Sequence, residues 1–309
     1  MTSESDIALC APTVHRAFAV VYPSFNDREA DMISNLNVAV AQMNSQLLDV
    51  ETNLERHREY TEQARQSGAE LLLFPELSLT GYQVGRDAPT VAMRRDDPAL
   101  LSLARQAKDI TLVVGFVERA RAGELYNAMV YLRDGEVLHV HRKLNLPTYG
   151  GLEEGKWFHS GSQIGNVKIR EHWESSCLIC ADLWNPALTH CAFLKQPELM
   201  LAPINSASGV VSENFSNEDN WKTNVSFYAM IYGTPVVMAN RYGHEKDLWF
   251  WGGSCILGPK GEILASAEDR ECLIQAELNQ ESIDRARFEM PTVRDSNTRL
   301  IRRLLDDQY

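Results

Sequence analysis

Nothing in this 309-residue chain approaches the ~20 consecutive apolar residues that a bilayer-spanning helix needs. No secretory leader is expected either: "MTSESD" is acidic where such a leader is basic, and the later "AFAVVYP" is short and displaced. Basic runs are missing as well. With 30 Lys and Arg against 42 Asp and Glu, the net charge is -12, which argues against a nucleic-acid or anionic-membrane partner. Cysteine is sparse and scattered: Cys10, Cys177, Cys180, Cys191, Cys255 and Cys272 make no disulfide framework, so a reducing cytoplasm is expected. Low-complexity linkers and internal repeats are absent between residues 36 and 280, which argues for one domain over residues 33–309 with a C-terminal tail. Residues 1–32, polar apart from one short apolar run, read as an N-terminal extension outside it.

What is present is a regular α/β pattern. "NVAVAQM" reads as a strand, and "VETNLERHREYTEQARQSG" as a helix with Leu54, His57, Thr61 and Ala64 at helical spacing and Gly68 as its stop. "ELLLFPE" reads as a buried strand, "PALLSLARQAKD" as a helix and "TLVVGFVE" as a strand. "NAMVYLRDGEVLHVHRKLNLP" is expected to be a hairpin turning at Asp134-Gly135. The helical stretch "NPALTHCAFLKQ", the strand "LMLAPIN", a helix from about Asn220 to Tyr232 and the strand "PVVMANR" follow. A closing meander is expected over "GGSCILGP", "EILASAE" and "CLIQAEL". Strands alternating with helices, with a hairpin and meander added, imply a mixed sheet rather than a bundle or repeat.

Three apolar segments end on reactive side chains. "LLLFPE" closes on Glu76, where low dielectric would raise the carboxyl pKa toward a range useful for a base; the competing reading is a strand-end glutamate paired with a surface lysine. "LHVHRKLNLP" carries Lys143, which by itself could be an ordinary surface lysine. In a regular strand it shares a face with His139 and His141, a pair that lacks the third ligand a metal site wants, so no metal is expected. "CLICADLWNP" carries Cys177 and Cys180. A zinc or redox reading needs a second Cys-x-x-Cys or a helix opening at the first thiol, and the sequence offers neither. Cys177 is therefore expected in the core, and Cys180 is left as a nucleophile presented at a strand tip.

The words around these residues decide the matter. "FPELSLTGY", "RKLNLPTYG" and "CADLWNP" occur in that order, with Glu76, Lys143 and Cys180 67 and then 37 residues apart. Together with "LYNAMVYLRDGEV", "GLEEGKWFHSG", "ANRYG" and "WFWGGSCILGPKGEIL", they resemble the nitrilase, or carbon–nitrogen hydrolase, superfamily over roughly Leu36 to Arg294. The resemblance implies a four-layer α-β-β-α sandwich whose outer helices pair in a homodimer, no cofactor, and a Glu-Lys-Cys triad. In that triad Glu76 is the base, Cys180 the nucleophile that forms a thioester, and Lys143 with the backbone N–H of Ala181 the oxyanion stabilisers. Glu154 matches a second family glutamate that positions the lysine, against the competing reading of a loop carboxylate in solvent. Tyr82, Tyr149, Trp184 and Asn205 follow by position as substrate-facing candidates, the aromatics being equally suited to core packing.

The departures from the family pattern narrow the substrate. Nitrilases usually follow the cysteine with Trp-Glu, where this chain has Ala181-Asp182. Carbamoyl hydrolases usually carry an arginine two residues after that aspartate, where this chain has Trp184. "DLW" and "LPTYGGLEEGKWF" are most similar to the glutaminase domain of glutamine-dependent NAD synthetases, but the "SGGxDS" phosphate loop of their ATP-using domain does not occur. The resemblance thus implies a freestanding amidase that cleaves a small linear amide to acid and ammonia. Nitrile or carbamoyl hydrolysis, acyl transfer and an ammonia-supplying role in a synthetase complex are the alternatives. Two carboxylates facing one ammonium should favour a neutral or amine-bearing acyl group.

Overall fold

The computed structural model describes residues 35–308; the extension expected over residues 1–32 lies outside the described residues. In chain order the elements begin with β1 (Leu36–Gln42), α1 (Val50–Gln66), β2 (Leu71–Leu73), α2 (Ala88–Val91), α3 (Pro98–Gln106), β3 (Thr111–Arg119), β4 (Leu125–Arg133) and β5 (Glu136–Arg142). The second half runs β6 (Asn166–Arg170), β7 (Trp173–Cys177), α4 (Pro186–Phe193), β8 (Leu199–Ile204), α5 (Asn217–Tyr232) and β9 (Val236–Asn240). It closes with β10 (Tyr242–Glu245), β11 (Leu248–Trp251), β12 (Cys255–Leu257), β13 (Ile263–Ser266), β14 (Cys272–Leu278), α6 (Gln280–Glu289) and α7 (Thr298–Asp306).

Two six-stranded sheets form, in the orders β14-β1-β2-β3-β4-β5 and β13-β12-β9-β8-β7-β6, with β10-β11 as a separate hairpin. Each sheet has a parallel centre, β1-β2-β3 in one and β7-β8-β9 in the other, flanked by antiparallel strands. Alternation along the strands assigns the faces. Val38 and Val40 of β1 point to the core shared with Trp173, Leu199, Leu201 and Val237 of the other sheet. Ala39 and Ala41, one residue out of phase, meet Leu54 and Ala64 of α1 and Leu100 and Leu103 of α3. On the far side, Met200, Ala202 and Met238 pack under Phe193 of α4 and Trp221, Val225 and Ala229 of α5. The layers are therefore helix, sheet, sheet, helix. Both centres are covered on two faces, which is why β2 and β8 are continuous apolar runs rather than alternating ones.

The expected closing meander is not what forms. β12 and β13 pair antiparallel, but β14 leaves them and joins the other sheet beside β1, from Leu36 opposite Leu278 to Gln42 opposite Cys272. Its alternation, Leu273 toward the outer core and Ile274 and Ala276 toward the inner one, suits either sheet edge, and the open edge of β1 takes it. β2 is also shorter than expected, ending at Leu73; Phe74 N–H still bonds Val113 O at 2.9 Å, and Pro75 and Glu76 lie beyond the strand. Among the described residues no helix is long and apolar enough to cross a membrane.

Candidate active site

Open sheets with parallel centres collect functional groups at the carboxyl ends of their strands, and this one does so from both sheets. Glu76 lies three residues past β2, Lys143 directly after β5, Cys180 three residues past β7, and Asn205 directly after β8.

The Glu76 turn presses against β3. A Cβ on Gly115 would lie 2.3 Å from the backbone nitrogen of Leu77 and 2.5 Å from the carbonyl oxygen of Pro75, so only glycine lets the strand pass. Helix α1 fastens the same turn. Asn53 Nδ2 donates to Leu79 O at 3.0 Å, and His57, buried and stacked on Phe74, bonds Ser78 Oγ at 2.9 Å. Burial pushes the His57 imidazole down to about 4, so it stays neutral at neutral pH.

Lys143 is fully buried, and its Nζ donates to Glu76 Oε1 at 2.6 Å and Glu154 Oε1 at 2.7 Å. Neither competing surface reading fits: Glu76 is 0% exposed and Glu154 5%. Asn127 joins the two carboxylates, donating from Nδ2 to Glu76 Oε1 at 2.7 Å and to Glu154 Oε2 at 3.3 Å. Tyr82 adds its hydroxyl to Glu154 Oε1 at 2.8 Å. Burial opposes a charged Lys143, yet Glu154 and Glu76 outweigh it and hold the ammonium pKa well above its usual value. Burial raises Glu154, with Lys143 pulling it back. Burial, then the Glu154 charge, keeps the Tyr82 phenol protonated as a donor. Among the described residues Glu76 Oε2 has no hydrogen-bond partner, while Asn205 Nδ2 holds the Glu76 carbonyl at 2.6 Å.

Cys180 opens a short 3₁₀ turn, Cys180–Trp184, with φ +47°, the left-handed region that costs a side-chain-bearing residue about 1–3 kcal/mol. Burial raises the Cys180 thiol pKa well above its usual value, with Glu76 adding to the rise, Lys143 opposing it, and Glu154 adding a smaller rise. The thiol therefore rests protonated and sits in the electrostatic reach of all three charged groups. Cys177, by contrast, ends β7 inside the inter-sheet core at 2% exposure.

A cavity of about 240 Å³ opens over Cys180 and Ala181. Tyr82, Tyr149 and Trp184 line it, Tyr149 near its mouth at 48% exposure, and Trp184 is braced edge-on by Trp221 and Phe215. Sequence reasoning missed two contributors. Asn127 carries a usable signal, a lone amide inside the apolar strand "LYNAMVYL", but no role follows from that alone. The far wall, Val210, Val211 and Phe215, comes from the loop "SASGVVSENFSN" between β8 and α5, which has no periodicity to read. Among the described residues no group of three or more His, Cys, Asp and Glu side chains could hold a metal ion.

The family model for carbon-nitrogen hydrolases matches residues 37–288. This chain belongs to that family. It is 30% identical over 241 residues to a glutamine-dependent NAD(+) synthetase of Thermotoga maritima, a match covering 75% of this chain and 40% of that protein. The chain thus spans about two fifths of the length of that relative. It is 26% identical to N-carbamoylputrescine amidase of Arabidopsis thaliana, over 83% of this chain and 91% of that one. Among solved structures, the nitrilase-superfamily amidase of Nesterenkonia sp. AN1 superimposes with a TM-score of 0.75 at 25% identity, over 88% of this chain and 97% of that one. That structure, of a mutant form of the enzyme, shows the acetamide moiety of fluoroacetamide added covalently at the active-site cysteine. Carbon–nitrogen hydrolases are enzymes acting on C–N bonds, and the α-β-β-α sandwich of this chain is the fold it shares with that amidase.

Proposed function

We propose that this carbon–nitrogen hydrolase cleaves small, uncharged linear amides to acid and ammonia through a thioester on Cys180. The observation that carries the substrate class is the cavity lining. Its walls are Tyr82, Pro147, Tyr149, Leu152, Trp184, Val210, Val211, Phe215 and Trp221, its polar members are neutral, and no charged side chain is among them. Lys143, beside Cys180, is already shared between two carboxylates. A substrate carboxylate would lose its hydration there without a partner.

In the chemistry these groups support, Glu76 takes the thiol proton and the sulfur attacks the amide carbon. Because the thiol rests protonated, a base must act as the S–C bond forms. The unpartnered Glu76 Oε2 suits that task. Negative charge then develops on the amide oxygen, where the Lys143 ammonium and the Ala181 N–H, one of the first and hence unbonded amides of its turn, can receive it. Collapse breaks the C–N bond as Glu76 returns the proton to the leaving nitrogen, so ammonia departs. Water, giving its proton to Glu76, splits the thioester, and that proton restores the thiol. Glu154, with Tyr82 and Asn127, positions the lysine.

The test compares ammonia release from short aliphatic and aromatic amides, L-glutamine, N-carbamoyl amines and matching nitriles. Neutral amides are expected to exceed L-glutamine in kcat/KM at least tenfold. Nitriles or ureido compounds beating every amide by that factor, about 1.4 kcal/mol of transition-state preference, would overturn the amide reading.

The cysteines of the described residues are free thiols, which fits a reducing cytoplasm. Exposed Phe227 and Met230 on α5 support a homodimer through that outer layer. Sedimentation is expected to give twice the chain mass, and replacing both residues with serine is expected to yield monomer.

A further inference from the structure

Asp182 is fully buried, does not line the cavity, and has no part in the chemistry above. Its carboxylate nevertheless holds the backbone on both sides of the active site. Oδ1 accepts from the N–H of Leu144 at 3.0 Å and of Asn145 at 2.6 Å, the two residues after Lys143. Oδ2 accepts from the N–H of Ile179 at 3.0 Å, the residue before Cys180. One oxygen thus serves the lysine strand, which belongs to one sheet, and the other serves the cysteine turn, which belongs to the opposite sheet. His141 also faces it, but keeps its Nε2 3.9 Å away, beyond hydrogen-bond range. Nothing else in the described structure joins the backbone beside Lys143 to the backbone beside Cys180 in this direct way.

We propose that Asp182 is a positioning residue that sets the separation of the nucleophile from the ammonium receiving the oxyanion. The two groups sit on different sheets, so their spacing depends on how the sheets stack. Slack between sheets of a few tenths of an ångström would be harmless to the core and harmful to a reaction that needs sulfur and ammonium on the same carbonyl. A carboxylate suits the task because it offers two acceptor oxygens and no donor, one for each side. This inference rests on the proposed roles of Cys180 and Lys143 and holds for any amide substrate.

Asp182→Asn tests it, because an amide has one acceptor oxygen and must release one side, turning an N–H toward an N–H. Two rates are compared: hydrolysis of a primary amide, which needs both sulfur and ammonium, and alkylation of Cys180 by iodoacetamide. In alkylation the sulfur displaces iodide and no oxyanion forms. The expected result is a fall of about 10²-fold in kcat, the scale of a 1 Å misplacement, with KM within about threefold of wild type. Alkylation is expected to stay within about fivefold. A kcat within threefold of wild type, or alkylation falling by the same factor as kcat, would overturn the proposal. Should Asp182→Asn not fold, Asn145→Pro removes the shorter lysine-side donor, besides fixing φ at that position, and is expected to lower kcat about tenfold with alkylation preserved; an unchanged kcat overturns it. If wild-type turnover survives complete alkylation of Cys180, the nucleophile assignment itself fails, an outcome distinct from failure of the Asp182 role alone.

Discussion

Cys180→Ser is expected to lower turnover by at least about 10⁴-fold while leaving the fold intact, since losing the nucleophile of a comparable acyl-transfer triad costs about 10⁶-fold. A hydroxyl is far less acidic than a thiol, and here even the thiol is raised by burial and by the Glu76 charge. A harder proton would have to leave at the same base, inside the same low-dielectric site. The oxygen is close in size to sulfur and the side chain is partly exposed to the cavity, so the thermal midpoint should move little. Cys177→Ala is the matched control. That thiol is packed in the inter-sheet core three residues away, so its loss should leave a small cavity, cost ~1 kcal/mol of stability and keep most of the activity. Steady-state ammonia release and thermal melts on both variants check this. Comparable activity loss in the two would return the pair to a redox reading.

The second large effect is expected from Lys143→Met. The substitution preserves most of the volume and removes the cation between Glu76 and Glu154, at 2.6 and 2.7 Å. Losing an oxyanion partner costs on the order of 10²–10³ in kcat. Because both carboxylates are buried, stability should also fall, by about 3–5 kcal/mol for stranding buried charge. The pH window of the loss then moves from the alkaline side down toward the carboxyl range. In the wild type the Lys143 pKa is held above its ordinary value, so the stability this supplies is complete below that value and is lost as pH rises through the folded one. In the variant Glu154, already raised by burial, loses the group that lowered it and rises further. Its contribution is then greatest below the ordinary carboxyl range and declines as pH rises. Urea melts should therefore show Lys143→Met recovering stability relative to wild type as pH falls from 7 toward 5. A deficit that is the same at both pH values would mean that the two carboxylates are not sharing this lysine.

Much of the architecture was legible because period and chemistry coincide. Leu54, His57, Thr61 and Ala64 recur every three to four residues, and all four are buried on α1. The Asp134-Gly135 turn between β4 and β5 announces itself in two residues. The site was legible in a different way: Glu76, Lys143 and Cys180 each end an apolar segment, and the words around them carry a family resemblance. Fully buried charge was not legible, since a lysine reads as surface until its partners are known. Here those partners lie 67 and 11 residues away.

Alternation along β14 specifies which side chains face inward, but not which edge the strand will join, and the vacant edge of β1 decided that. Asn127 and Asp182 owe their importance to partners that only sheet stacking brings near, and a lone polar residue carries no record of its distant partner. The cavity wall at Val210, Val211 and Phe215 lies in an aperiodic loop whose course is set by what it packs against. The sequence by itself determined the local elements, their buried faces and the reactive side chains at the strand ends. The tertiary structure decided which strand ends meet, what charge is left without water, and what shape of substrate fits above it. Those depend on contacts between distant residues, whereas periodicity records only each element's own faces.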